Sequence, residues 1–204
     1  TSVAANVRSN PVTYTGIFDD IRKLFSKENN VSIGLFSYNS EGGCVNCKGK
    51  GYIETDLAFM DSVETICEDC GGERFKEEVL SYLYKEKSIT DVLHMTVSEA
   101  VEFFELKKIL NQLNHIKDVG LGYMTLGQSL DTLSGGECQR LKLAKELNKK
   151  GNIYIMDEPT TGLHMTDITS ILTIIERLVN KGNTIIVIEH NIDVIRNADW
   201  IIDL

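Results

Sequence analysis

Residues 133–158 read LSGGECQRLKLAKELNKKGNIYIMDE, and their order decides the fold. Ser134, Gly135 and Gly136 precede a run that carries Leu141, Ala144 and Leu147 at helical spacing. Ile153 to Met156 is then a short, nearly continuous apolar run, and it ends at Asp157 and Glu158. Beyond it, Ile168, Ile171, Leu172, Ile175, Leu178 and Val179 recur at steps of three and four, which predicts an amphipathic helix. Gly182 stops that helix. Thr184 to Ile188 is β-branched throughout and reads as a buried strand. A short helix over 191–197 and a last strand over 200–204 follow. Strand, helix, strand, helix and strand with apolar strands predict an α/β fold, a sheet covered by helices.

Working toward the other terminus, Gly120, Gly122 and Gly127 punctuate a loop that leads into this stretch. Thr96 reads as an N-cap, with Glu99 completing a capping box three residues on. The helix it starts carries Val97, Val101 and Phe104 and resumes through Leu110 and Leu113 after a break. A strand is expected at 79–84. Ile17, Ile21, Leu24 and Phe25 predict an early helix. Asn29 to Glu41 is polar and ends in Gly42 and Gly43, and residues 1–14 show no clear period. The chain thus divides into a start at 1–41, a cysteine module at 42–75, a helical insertion region at 76–117, and an α/β part at 118–204.

With 204 residues, 42% of them hydrophobic, the chain is long enough for one sizeable core or a core plus a small satellite. No stretch approaches the roughly 20 apolar residues of a membrane span. The segment Thr1 to Asn10 has no apolar run like that of a signal peptide. A soluble, cytoplasmic protein without a membrane partner is expected. The net charge of -9 counts against a surface that is one broad DNA footprint, while leaving room for a local basic patch.

Four of the five cysteines form two pairs, Cys44 with Cys47 and Cys67 with Cys70, each two residues apart inside the pair. This spacing is a strong tetrathiolate signal, because each turn brings two sulfurs to one ion. Gly49, Gly51, Gly71 and Gly72 allow the tight turns. Structural Zn²⁺ is the leading expectation; an iron–sulfur cluster or a redox pair is the alternative. Four thiolates leave no open position for a substrate, so a catalytic metal is not expected. Cys138 stands alone and reads as a small packed side chain.

The stretch from 133 onward also carries a chemistry. Ser134, Gly135 and Gly136 sit at a predicted helix start, where backbone N–H groups and the helix dipole favour a phosphate. Asp157, ending a buried strand, suits Mg²⁺, and Glu158 suits the polarisation of a water. His190, just after the next strand, suits a hydrogen bond to a γ-phosphate. Phosphoryl transfer needs mainly such positioning and charge compensation. Any one of these fragments alone is commonplace; their occurrence together and in order is not.

Taken together they resemble the ABC ATPase family. Leu133 to Glu137 resembles the signature motif, Ile153 to Glu158 a Walker B strand with its glutamate, Pro159 to His164 the D-loop region, and His190 the switch histidine. The resemblance implies a partial ABC-type fold, a mixed sheet flanked by helices, with an inserted helical region and the zinc module. It implies that Glu158 and His190 are catalytic and that Asp157 holds Mg²⁺. Ser134, Gly135 and Gly136 would complete the ATP site of an opposing domain. Nothing matches Gly-x4-Gly-Lys-Ser/Thr, the cradle of the β-phosphate, so the segment alone is expected not to turn over ATP.

The inserted cysteine module narrows the resemblance. Ser9 to Pro11, Thr13 to Arg22, Asp118 to Tyr123, Leu126 to Gln128, and Glu189 to Asn191 are similar to the second nucleotide-binding half of the UvrA family. That resemblance implies ATP-dependent recognition of damaged double-stranded DNA, transfer to a UvrB-like helicase, and a homodimer of the full-length protein. One departure stands out. Asn29 to Glu41 contains no Lys or Arg, where the family is longer and basic. Fewer phosphate partners weaken salt-dependent DNA affinity. A shortened paralogue acting in drug tolerance or other DNA transactions is therefore the alternative.

Overall fold

In a computed structural model, residues 9–57, 60–147, 151–161 and 165–203 are described. The readings made above for residues 1–8, for 162–164 of the D-loop region and for Leu204 lie outside them. The chain forms two compact units. One is Thr96–Met124 with Thr132–Leu204, and the other is built from residues 9–95 and 125–131.

The second of these begins with helix α1 (Pro11–Thr15). Asn10 caps it, accepting from Thr13 N while the Thr13 hydroxyl bonds back. Asn10 is fully buried, and its amide donates to the Tyr38 hydroxyl at 3.0 Å, so its polar groups are satisfied inside the core. Helix α2 (Ile17–Asn29) turns Ile17, Ile21 and Phe25 inward, as the helical spacing predicts. The polar segment after it is less open than its composition suggests. Ile33–Phe36 is a 3-10 turn that buries Phe36 against Phe25, ring centroids 5.2 Å apart.

An antiparallel hairpin of β1 (Tyr52–Leu57) and β2 (Met60–Ile66) lies between the two cysteine pairs. The strand expected at 79–84 does not form. Glu77–Leu80 is a turn of helix, α3, and Tyr82 N donates back to Val79 O at 3.2 Å. Val79 and Tyr82 are three residues apart, a spacing that suits one helical turn rather than an alternating strand. Helix α4 (Ile89–His94) has its own capping box, Ser88 with Asp91. The returning segment is tied on by Leu126 N to Met95 O and Gly127 N to Leu93 O.

In the other unit, α5 (Val97–Phe103) carries the expected Thr96–Glu99 capping box, and α6 (Lys107–Ile116) follows after a break. A π-turn at Lys117–Leu121 ends α6. Helix α7 (Gly135–Glu146) packs with α6, burying Leu113, Ile116, Leu141 and Ala144. Strands β3 (Ile153–Asp157) and β4 (Thr184–Ile188) pair in parallel, with Asp157 opposite Ile188. Helix α8 (Met165–Asn180) connects them, burying Ile171, Ile174 and Leu178, and Gly182 at φ 84° ends the connection. Helix α9 (Ile192–Ile195) starts at Asn191.

Two expectations are corrected here. Among the described residues, 200–203 form no strand, since a strand exists only through its pairing. The sheet is also covered less fully than apolar strands suggest. Met156 is buried, but Ile153 and Ile155 on the other face are each 69% exposed, and β4, expected to be buried, leaves Ile186 and Ile188 49% and 56% exposed. Among the described residues no helix is long and apolar enough to cross a membrane.

Candidate nucleotide and metal sites

Ser134 is the N-cap of α7, with extended backbone before the first helical turn. Its hydroxyl accepts from Glu137 N at 3.3 Å, and Glu137 Oε2 accepts from Ser134 N and from the Ser134 hydroxyl, both at 2.8 Å. The other oxygen, Oε1, accepts from the Tyr123 hydroxyl at 2.5 Å. Partial burial works to raise the Glu137 carboxyl, but the bonds from Tyr123 and Ser134 outweigh it and hold it below the usual range. Among the described residues, none comes within 4 Å of where a Cβ on Gly135 would sit, and one on Gly136 would meet only Thr161 O, at 3.8 Å. A helix start that is capped, polar and uncrowded can receive an anion.

Gln139, one turn into α7, donates to the Asp157 carbonyl at 3.3 Å, which links this helix to the end of β3. There the backbone departs from the strand. Glu158 has φ 44°, in the left-handed region that L side chains rarely adopt. Such a residue costs on the order of 1 kcal/mol and is held by its surroundings. Here Glu158 N donates to Ile188 O at 2.9 Å, and Thr161 Oγ1 donates to Glu158 Oε2 at 3.0 Å. Its other oxygen, Oε1, lies 3.8 Å from His190 Nδ1. The structure thus brings Asp157, Glu158 and His190 to one end of the parallel pair. Glu158 and His190 are both open to solvent.

Two residues of this region were not singled out from the sequence. Tyr123 anchors Glu137, and Glu189 accepts from Thr160, His190 and Asn191. A carboxylate directly after an apolar β-branched strand was the available signal for Glu189.

In the other unit, the four sulfurs of Cys44, Cys47, Cys67 and Cys70 all lie within 4.8 Å of one another. Cys44 Sγ is 3.9 Å from Cys67 Sγ, and Cys47 Sγ is 3.7 Å from Cys70 Sγ. A tetrahedral ion with Zn–S bonds of about 2.3 Å separates its sulfurs by about 3.8 Å. The two turns are built alike: Lys50 N donates to Cys47 O at 3.0 Å, and Glu73 N to Cys70 O at 2.9 Å. Gly51 N also donates to Cys47 Sγ at 3.2 Å. Gly49 is required by space and by backbone, with φ 75° and Tyr38 O only 1.9 Å from where a Cβ would sit. Cys44, Cys47 and Cys67 are buried and Cys70 half-buried, with Ile53 packed against them. Burial first, then the neighbouring Cys47 and Cys67, push the Cys70 thiol up to about 12, against backbone donors from Arg74 and Gly72. A bound cation reverses that preference, because a coordinated thiol is deprotonated. The donor set and its spacing fit a closed four-sulfur metal site. Cys138 lies outside this cluster, half-buried in α7.

Comparison with known proteins places the chain in a family. A family profile described as ABC transporter matches residues 51–161, more than half of the chain. UvrABC system protein A of Staphylococcus aureus (strain COL) is 53% identical over 207 aligned residues, covering 97% of this chain and 22% of that protein. The protein of the same name from Streptococcus pneumoniae serotype 4 is 55% identical with the same coverage. The crystal structure of UvrA2 from Deinococcus radiodurans superposes with a TM-score of 0.89 at 42% identity, covering 98% of this chain and 26% of that one. The chain therefore spans about a fifth of the length of the curated relatives it matches. The chain belongs to the ABC transporter family, and over nearly all its length it is similar to UvrABC system protein A.

Proposed function

We propose that this segment belongs to the second ATPase half of a UvrA-like protein and serves ATP-dependent recognition of damaged DNA in nucleotide excision repair. The observation that carries this reading is the likeness to UvrABC system protein A over 97% of the chain, cysteine module included. Isolated ATPase motifs would not extend so far.

In this reading Asp157 holds Mg²⁺, which supplies charge compensation at the phosphates. Glu158 orients and polarises the attacking water. His190 donates to the γ-phosphate and steadies that water. Ser134, Gly135 and Gly136 face the nucleotide of an opposing domain. Their position at a helix start supports this role, because the helix dipole there favours an anion. Cys44, Cys47, Cys67 and Cys70 hold Zn²⁺, which fixes the module of residues 42–75 rather than taking part in hydrolysis. The segment lacks a Gly-x4-Gly-Lys-Ser/Thr loop and alone does not turn over ATP. The intact polypeptide works as a homodimer in the cytoplasm, binds duplex DNA and hands lesions to a UvrB-like helicase.

A second reading, a shortened UvrA-like paralogue acting outside lesion incision, is favoured by the absence of Lys and Arg from residues 29–41. Binding of the intact protein to a lesion-bearing duplex and to its undamaged twin, with ATP and Mg²⁺ at one fixed salt concentration, separates the two. Preference for the lesion supports excision repair. Equal or absent binding supports the paralogue.

A further inference from the structure

We propose that Glu189 is a positioning residue for ATP hydrolysis, clamping the loop that carries His190 to the turn that follows Glu158; this rests on the ATPase reading given above. Both of its carboxylate oxygens are in use. Oε1 accepts from Thr160 N at 3.0 Å and from the Thr160 hydroxyl. Oε2 accepts from His190 N and Asn191 N, both at 3.0 Å. One side chain therefore joins two segments that the β3–β4 pairing brings side by side.

Three features make this more than a surface contact. Thr160 is buried, and a buried hydroxyl and N–H need an acceptor, which Glu189 supplies to both. The clamp is charge-assisted, the stronger class of hydrogen bond. Its two ends are also the neighbours of the reacting groups. Thr160 lies between Glu158 and Thr161, whose hydroxyl donates to Glu158 Oε2, and Oε2 of Glu189 holds the backbone of His190 itself. The 3.8 Å separation of His190 Nδ1 and Glu158 Oε1 spans the same two segments. Partial burial works to raise the Glu189 carboxyl, but the bonds from Thr160, Asn191 and His190 outweigh it and keep it ionised, as a four-donor acceptor has to be. Glu189 itself touches neither the water nor the phosphate; it sets where His190 and Glu158 stand when they do.

The test is ATP hydrolysis by the intact polypeptide carrying Glu189→Gln, with kcat and KM resolved and Glu158→Gln measured alongside. The amide keeps one acceptor oxygen and turns a donor toward donors, which opens half the clamp. Misplacement of reacting groups costs kcat on the order of 10- to 100-fold, with KM for ATP changed by less than about threefold. Thr160→Val, which removes only the hydroxyl, lowers kcat less, and Thr160→Ser restores it. The double variant Glu189→Gln/Thr160→Val is no slower than Glu189→Gln alone, because both open the same clamp. Normal kcat in Glu189→Gln beside an inactive Glu158→Gln overturns the clamp and leaves the ATPase reading standing. Normal hydrolysis in Glu158→Gln overturns both. If Glu189→Gln does not fold, Thr160→Val decides: a loss of kcat rescued by Thr160→Ser supports the clamp, and equal rates in both overturn it.

Discussion

His190 Nδ1 stands 3.8 Å from Glu158 Oε1, across the ends of two neighbouring parallel strands. The approach depends on the strand register, which sets Asp157 opposite Ile188, and on the left-handed backbone of Glu158, which turns the chain out of the strand. The same geometry leads to predictions for each site.

Ser134 has two roles that one substitution separates. Asn is as good an N-cap as Ser, and its amide can both accept from Glu137 N and donate to the Glu137 carboxylate, so Ser134→Asn keeps α7 capped and changes stability by less than about 1 kcal/mol. It also places a larger amide side chain where a phosphate oxygen is expected. ATP turnover by the intact polypeptide should fall at least tenfold, a loss of about 1.4 kcal/mol in transition-state binding. Normal turnover would remove Ser134 from the nucleotide site.

Replacing Cys67 or Cys70 by Ser leaves three sulfurs for an ion that takes four. Zinc released on denaturation should drop from about one ion per segment toward zero, since structural zinc is held by a complete ligand set. Metal content unchanged in both variants would rule out the four-sulfur assignment.

Gly49→Ala tests the turn beneath the metal. A Cβ would lie 1.9 Å from Tyr38 O on a backbone already at φ 75°. Strain of this kind costs on the order of 1–3 kcal/mol, so the variant should melt earlier and release zinc at lower chelator concentration. Wild-type melting and chelator resistance would show that the turn tolerates a side chain.

Asp91 gives a pH dependence with a definite sign. Bonds from the Ser88 hydroxyl and then the Ser88 backbone hold its carboxyl below the usual range, against a smaller effect of burial. The folded pKa is thus lower than the unfolded value of about 3.9. The stabilisation is fully present above the unfolded value and is lost as pH falls through the folded one. The melting difference between wild type and Asp91→Asn should be open at neutral pH and close at strongly acid pH. A difference that stays constant down to the acid limit would contradict the capping role.

Much of this was legible in the sequence because local chemistry decided it. Thr96 with Glu99 wrote a capping box whose partners are only three positions apart, and the β-branched run Thr184 to Ile188 formed its strand. The cysteine spacing foretold four sulfurs in one place. Long-range partners decided what was misread. The run 79–84 was read as a strand, although the spacing of Val79 and Tyr82 suits the helical turn that packing selects there. The exposure of Ile153 and Ile155 could not be read from strands that are apolar on both faces. Glu189 looked like an ordinary residue after a strand, because Thr160 is distant in sequence and reaches it only through the fold.

The most direct test of the nucleotide site is ATP hydrolysis and ATP affinity in the intact polypeptide carrying Glu158→Gln. The amide keeps the shape of the side chain and removes its capacity to take a proton. Hydrolysis that depends on this site should fall on the order of 100-fold or more, while ATP is still bound. Turnover close to wild type would contradict the assignment of Glu158, and with it the reading of the Asp157, Glu158 and His190 cluster as a hydrolytic centre.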